Sequence, residues 1–468
     1  MRKTLLFIFF VFPIALWLVG CGGSGGGLSG TKDQPSISIS PNSANMLVGQ
    51  STQFSANVQN LSDTHVSWTV QEANGGTVAA TSTGAIYTAP WPVGIYHVVV
   101  KSVANPSLSA TAMVSVTAKF AFLEELPSGD ALPFSMTPMV GTLGTDGNIG
   151  IGGIIDQGTG KAVSVAMGSL TLSNDGTKAT FDVETQDTST SPITYYWDVY
   201  SANSDGSGSA TQLTNDGDSF WPQFSADGRQ ILYMKGNWDI WSMNADGSNQ
   251  HAVFSASLNN ADAWSATLSP DGTKIAAELD WNPAAGGGAY YDGIAIMNAD
   301  GSNPVPLTGN NGCNGTMPNG GWDEMPSFTH DGTQIMFSRY CTSGNQTDAS
   351  ETMYIINIDG TGLTQLYNGP TAGVLNYNPI AVGDKILFQT NQDTPRTYLF
   401  EIYSMNADGS GVTKLTNNSL YDGFDTMWYS GPTTASQQQL LRLPASRSAL
   451  HGAAARAEKI KHLQQHHR

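Results

Sequence analysis

Apolar and polar positions alternate with a period of two along most of this chain, the pattern of half-buried strands rather than helices. Ser36-Ile37-Ser38-Ile39-Ser40 shows it near the start, and Asp239-Ile240-Trp241-Ser242-Met243 shows it in the middle. Two turn phrases punctuate the strands. The first occurs as Ser173-Asn174-Asp175-Gly176, Ser225-Ala226-Asp227-Gly228, Ser269-Pro270-Asp271-Gly272 and Thr329-His330-Asp331-Gly332, with Gly383-Asp384 as a degenerate fifth copy. The second occurs at Asn203–Ser207, Asn244–Ser248, Asn298–Ser302, Asn357–Thr361 and Asn406–Ser410, and reads Asn-Ala-Asp-Gly-Ser in three of these. They alternate at a spacing of about 40–60 residues, which is the period of a repeat architecture. Each copy predicts four strands, the last often finishing in Leu-Thr, as at Leu213-Thr214, Leu307-Thr308 and Leu415-Thr416. Four strands per repeat is one propeller blade.

The ends of the array fix the expected count. Tyr421–Trp428 reads as an inner strand with no blade behind it, and Lys119–Leu123 as a second strand with no inner strand before it. Joined, they make a shared (velcro) closing blade and a ring of six. Residues 35–118 form a different unit, with period-two strands and turn signals at close spacing, which predicts a small β-sandwich with Trp68 as its core plug. The expected fold class is therefore all-β, a β-sandwich followed by a six-bladed β-propeller over 119–430.

Two resemblances add to this. Val48-Gly49-Gln50-Ser51-Thr52-Gln53-Phe54, Val66-Ser67-Trp68 and Gly84-Ala85-Ile86-Tyr87-Thr88-Ala89-Pro90 resemble the bacterial Ig-like domains of cell-surface proteins. That resemblance implies a spacer or adhesion module. Leu268-Ser269-Pro270-Asp271-Gly272-Thr273-Lys274-Ile275-Ala276 and Ile240-Trp241-Ser242-Met243-Asn244-Ala245-Asp246-Gly247-Ser248 resemble the TolB-type propeller repeat. Such propellers include periplasmic scaffolds and the regulatory halves of peptidases, so the likeness implies a fold and leaves function open.

The N-terminus changes the setting. Arg2 and Lys3 precede an apolar run from Leu5 to Val19, as in a secretory signal. Leu18-Val19-Gly20-Cys21 resembles the lipobox of bacterial lipoproteins, which implies cleavage after residue 20 and acylation of Cys21. Residues 21–34 read as a Gly/Ser-rich tether. Gly22 in place of Asp favours, by the same resemblance, an outer-membrane destination if the host has one. A net charge of -18 gives nucleic acid no basic stripe to bind, so no such partner is expected. Residues 431–468 differ again, with six bases against one acid and no strand pattern, and read as a basic, disordered tail.

Candidate chemistry is sparse. The Asp-Gly turns faintly echo a calcium loop but lack its first carboxylate and closing Glu, so they read as structural and no cofactor is expected, with Ca2+ as the alternative. Aligned on those turns, Asp218, Asp262 and Asp422 fall at one register of the inner strands, with Asp323 one position off. Carboxylates at a channel mouth can hold a cation or a basic segment, or cap backbone N–H groups of the next blade. Both turn types lie on one propeller face. The long connections, such as Leu279 to Tyr291, Gly309 to Gly321 and Tyr340 to Glu351, lie on the other, where binding sites tend to collect. Cys313 and Cys341 fall in adjacent loops of that face and are expected to pair as a disulfide. Trp264, Trp322 and Tyr340 lie near the same loops and offer rings for a sugar or a partner. Neither a His-based triad nor a metal cluster emerges.

The sequence thus predicts a lipid-anchored protein of the cell envelope. It would bind or scaffold an envelope protein or a peptidoglycan-associated partner through its long-loop face. The alternative is a glycan-active or glycan-binding propeller, a lyase, a hydrolase or a carbohydrate trap.

Overall fold

The computed structural model describes residues 34–125, 136–143, 149–154, 166–173, 176–187, 194–204, 207–208, 210–236, 238–259, 261–281, 291–309, 321–341, 350–371, 373–393, 400–416 and 422–423. Residues 1–33, which include the expected signal segment, Cys21 and all but the last residue of the expected tether, lie outside these residues, as do Cys313 and the expected tail at 431–468.

The N-terminal unit has eight strands: β1 (Ser36–Ser40), β2 (Ser43–Leu47), β3 (Ser51–Gln59), β4 (Val66–Val70), β5 (Thr77–Thr81), β6 (Gly84–Thr88), β7 (Gly94–Ser102) and β8 (Ser109–Glu125). One sheet runs β1-β3-β6-β5. In the other, β8 pairs β7, β7 pairs β4, and β2 lies parallel to β8. Period two decides which residues go inside: on β7, Tyr96, Val98 and Val100 are buried while Ile95 and Lys101 face water. Phe54 and Tyr87 fill the space between the sheets, and the Tyr87 hydroxyl donates to the Gly75 carbonyl at 2.8 Å. Trp68, expected as the plug, is only half-buried beside that core. It sits on β4, which is the edge of its sheet, so the centre belongs to residues of inner strands.

β8 is a single strand of 17 residues serving both parts of the chain. Its first half pairs β7 and β2. From Ala118 onward it pairs β9 (Met136–Leu143), and Leu123 and Glu124 pair Gly423 and Asp422. The change of unit expected at 118 to 119 therefore takes place inside an unbroken strand, with no linker.

Five four-stranded antiparallel sheets follow, each with its strands in sequence order. Their inner strands are Ala166–Leu172, Ser219–Phe224, Ala261–Leu268, Gly321–Phe328 and Asn376–Val382. The inner strands of the first and fifth sheets both lie against β8, so the succession returns to its origin as a propeller. Apolar residues of adjacent sheets interleave, as where Ile294 and Ile296 of the third meet Phe337 of the fourth.

Local chemistry explains the repeated phrases. In Ser269-Pro270-Asp271-Gly272, Asp271 Oδ1 accepts from the Thr273 N–H at 3.0 Å and the Ser269 hydroxyl at 2.6 Å. In the second phrase, Asp246 Oδ1 takes the Ser248 N–H and hydroxyl at 3.0 and 2.6 Å. These turns close on themselves. Gly301 shows why glycine is needed: its φ is +77°, and a Cβ there would lie 1.9 Å from the Val253 carbonyl oxygen of the preceding sheet. The Leu-Thr ending has its own function. Thr214, Thr308 and Thr416 each accept, at 2.9 Å, the N–H of Val199, Ile294 and Ile402, which the short outer strands leave unpaired. Thr308→Val keeps the shape but strands the buried Ile294 N–H. It is expected to cost about 1–3 kcal/mol, read as a lower urea midpoint at unchanged m-value.

Candidate functional site

The inner strands carry the most informative irregularity. All five break register, between Met167/Leu170, Phe220/Gln223, Ala263/Ser265, Glu324/Ser327 and Tyr377/Ile380. At three of these bulges the backbone enters the left-handed region, with φ of 51° at Trp221, 51° at Met325 and 53° at Asn378. A bulge frees an N–H from its own ladder, and in a buried strand that donor needs another acceptor. The preceding sheet supplies it. At the fifth sheet's bulge the Ser338 hydroxyl accepts from the Asn378 N–H at 3.2 Å.

Asp182 is fully buried, and burial pushes its carboxyl up to about 7 although the Ser169 hydroxyl donates to Oδ1 at 2.9 Å; Oδ2 has no hydrogen-bond partner. Glu278 takes the corresponding place in the third sheet, buried and bonded to the Ser265 hydroxyl at 3.1 Å. Each of these carboxylates ties its second strand to the bulge of its own sheet's inner strand. Sequence reasoning missed them. The available signal was a charged residue at an inward position of an otherwise apolar strand.

The inner strands surround a cavity of about 370 Å³ that includes Thr171, Gln223, Thr267 and Ser327. At its turn-face end the lining passes to Leu47, Val48 and Trp91 of the N-terminal unit. The Trp91 ring lies 5.2 Å from His330 of the fourth sheet's turn. Val382, Leu387 and Ile402 of the fifth sheet join the same core as Phe54, Tyr87 and Val98. The N-terminal unit is thus packed onto the short-turn mouth of the propeller.

The aligned aspartates occupy the other ends of the inner strands. Asp218 is exposed and forms an isolated bridge with Trp197, while Asp262 is half-buried opposite Asp280. Asp422 is described only through its backbone, opposite Glu124. Among the described residues no three His, Cys, Asp or Glu side chains are grouped to hold a metal ion.

The three aromatic candidates are buried: Trp264 is 6% exposed, Trp322 3% and Tyr340 6%. Trp264 packs against Trp238 with centroids 4.3 Å apart, and Trp322 stacks on Tyr340 at 4.5 Å. Rings so engaged leave no free face for a sugar, and we assign them to packing. Cys341 ends its strand and is disulfide-bonded. Beside it is a buried ion pair that sequence spacing did not reveal. Arg339 donates to both oxygens of Asp323, from Nε at 2.5 Å and from an Nη at 2.8 Å, with its guanidinium 4.6 Å from the Tyr354 ring centroid.

No family model matches the chain, and no curated protein matches it. Among solved structures it is similar to puromycin hydrolase, at 13% identity over 74% of this chain and 54% of that one, with a TM-score of 0.40. It is also similar to the β-propeller domain of the Trilobed protease from Pyrococcus furiosus, at 10% identity, 74% and 97% coverage and a TM-score of 0.35. An oligogalacturonate lyase in complex with manganese matches at 13% identity, 64% and 84% coverage and 0.33.

Proposed function

We propose that this chain is a lipid-anchored binding or scaffold protein of the cell envelope. In this reading an Ig-like domain near the membrane carries a six-bladed propeller with a shared closing blade, and the long-loop face engages an envelope protein or a peptidoglycan-associated partner. The observation that carries the reading is the seal at the opposite mouth. Leu47, Val48 and Trp91 occupy the short-turn end of the cavity, and β8 runs without interruption from one unit into the other. A partner therefore has the long-loop face to bind, on a support that holds its orientation. Pairing of Asp422–Gly423 with β8 supports the shared blade, and Leu18-Val19-Gly20-Cys21 supports the anchor.

The test is in-cell photo-cross-linking from a residue on each face. A cross-linker at Asn345, in the long connection expected from the sequence between Tyr340 and Glu351, should give a discrete adduct, and one at Asp246, in a short turn, none. Adducts from Asp246 alone would overturn the choice of face. If the purified protein cleaved an envelope polysaccharide and Asp218→Asn or Asp262→Asn abolished that activity, the glycan-active alternative would replace the scaffold.

A further inference from the structure

We infer that the cavity between the inner strands holds a small uncharged molecule by an amide group, with Gln223 and Thr267 as the residues that read it. Each inner strand places one residue at the same level, four positions before its turn aspartate: Thr171, Gln223, Thr267, Ser327 and Ile380. All five line the cavity. Two of them are committed to joining neighbouring sheets. The Thr171 hydroxyl donates to the Pro222 carbonyl at 3.2 Å, and the Ser327 hydroxyl to the Pro379 carbonyl at 2.5 Å. Ile380 is apolar and packs against the core that the fifth sheet shares with the N-terminal unit. Gln223 and Thr267 remain, on adjacent sheets. Both are half-buried, and among the described residues neither the carboxamide nor the hydroxyl has a hydrogen-bond partner.

The charge of the lining narrows the ligand. In a chain with 38 acids, no Asp or Glu lines the cavity among the described residues. Its two basic side chains lie at the turn end, where His330 packs on Trp91 and Lys119 Nζ is 3.5 Å from the Gly176 carbonyl. The level of Gln223 and Thr267 therefore offers neutral hydrogen bonds and no counter-charge, which penalises an ion brought out of water. A carboxamide presents a donor and an acceptor side by side. Its complement is a second amide, the N–H and C=O of a lactam ring or of an N-acetyl group, with the Thr267 hydroxyl free to meet a neighbouring polar atom. Trp221, held at φ 51° by its bulge, and Met325 add apolar wall. A volume of about 370 Å³ suits one small ring molecule. With Leu47, Val48 and Trp91 across the turn-face end, the ligand enters from the long-loop side.

The inference concerns the channel interior and is independent of the envelope-scaffold reading. It is tested on the whole protein by calorimetry and thermal unfolding, with uracil as the lactam probe and N-acetylglucosamine as the acetamido probe, each titrated to roughly 10 mM. At least one is expected to bind saturably at one molecule per chain and to raise Tm by roughly 2 °C at ten times its Kd. Which one binds tells the lactam source from the acetamido source. Glucosamine, with an ammonium in place of the amide, is expected to bind at least about tenfold more weakly than N-acetylglucosamine. Gln223→Ala is expected to weaken the bound probe about tenfold, and Gln365→Ala, on an exposed outer strand, to leave it unchanged. Should Gln223→Ala lower the Tm of the free protein, Thr267→Val, which keeps the shape, must weaken binding instead. Failure of both probes to bind, wild-type affinity in both variants, or glucosamine binding as tightly as its acetylated form would each overturn the site.

Discussion

Arg339→Met is expected to lower stability by about 3–5 kcal/mol, the largest loss from a single polar substitution here. Arg339 is 9% exposed and Asp323 3%, and the two meet through paired hydrogen bonds. Removing the guanidinium leaves a carboxylate deep between sheets with nothing to balance it. The same calculation predicts how the loss is recovered. Asp323→Leu combined with Arg339→Met removes both charges and is expected to restore most of the stability, since a buried ion pair contributes little over a well-packed apolar pair. Urea denaturation of the two single variants and the double variant measures the coupling. A single variant within about 1 kcal/mol of wild type would mean that water reaches Asp323 after all.

The second large effect is a dependence on pH. The Asp182 carboxyl is raised by burial from 3.8 to about 7 in the folded protein. Below the unfolded value both states hold the proton, and its stabilising contribution is complete. Between about pH 4 and 7 the unfolded chain releases the proton while the folded one keeps it, so stability falls through that window and levels off above it. The full span is on the order of 4 kcal/mol. Asp182→Asn keeps an acceptor oxygen for the Ser169 hydroxyl but cannot ionise. It is expected to remove this slope and to exceed the wild type by about 1–3 kcal/mol near pH 8. Parallel urea curves for the two proteins across that range would sink the assignment.

Much of the fold was legible because its causes are local. Asp271 and Gly272 make a tight turn whatever lies beyond, and the alternation of Tyr96, Val98 and Val100 sets the buried face of β7 by geometry alone. Even the Leu-Thr phrase could be noticed, although its hydrogen bond to the third strand could not. The candidate site was legible only in outline. Asp262 was singled out by alignment, whereas its neighbour Asp280 emerged only when register set the two side by side. The aromatic residues near the loops looked available as a string of letters and proved to be packed in pairs.

By itself, the sequence determined strands, turns and the repeat, since each follows from backbone preferences within a few residues. Tertiary structure alone decided which side chains share a cleft: Asp182 with Ser169, Arg339 on Asp323, Trp91 against His330. The physical reason is that burial and charge compensation depend on neighbours brought together from distant positions in the chain, and no local preference encodes those meetings.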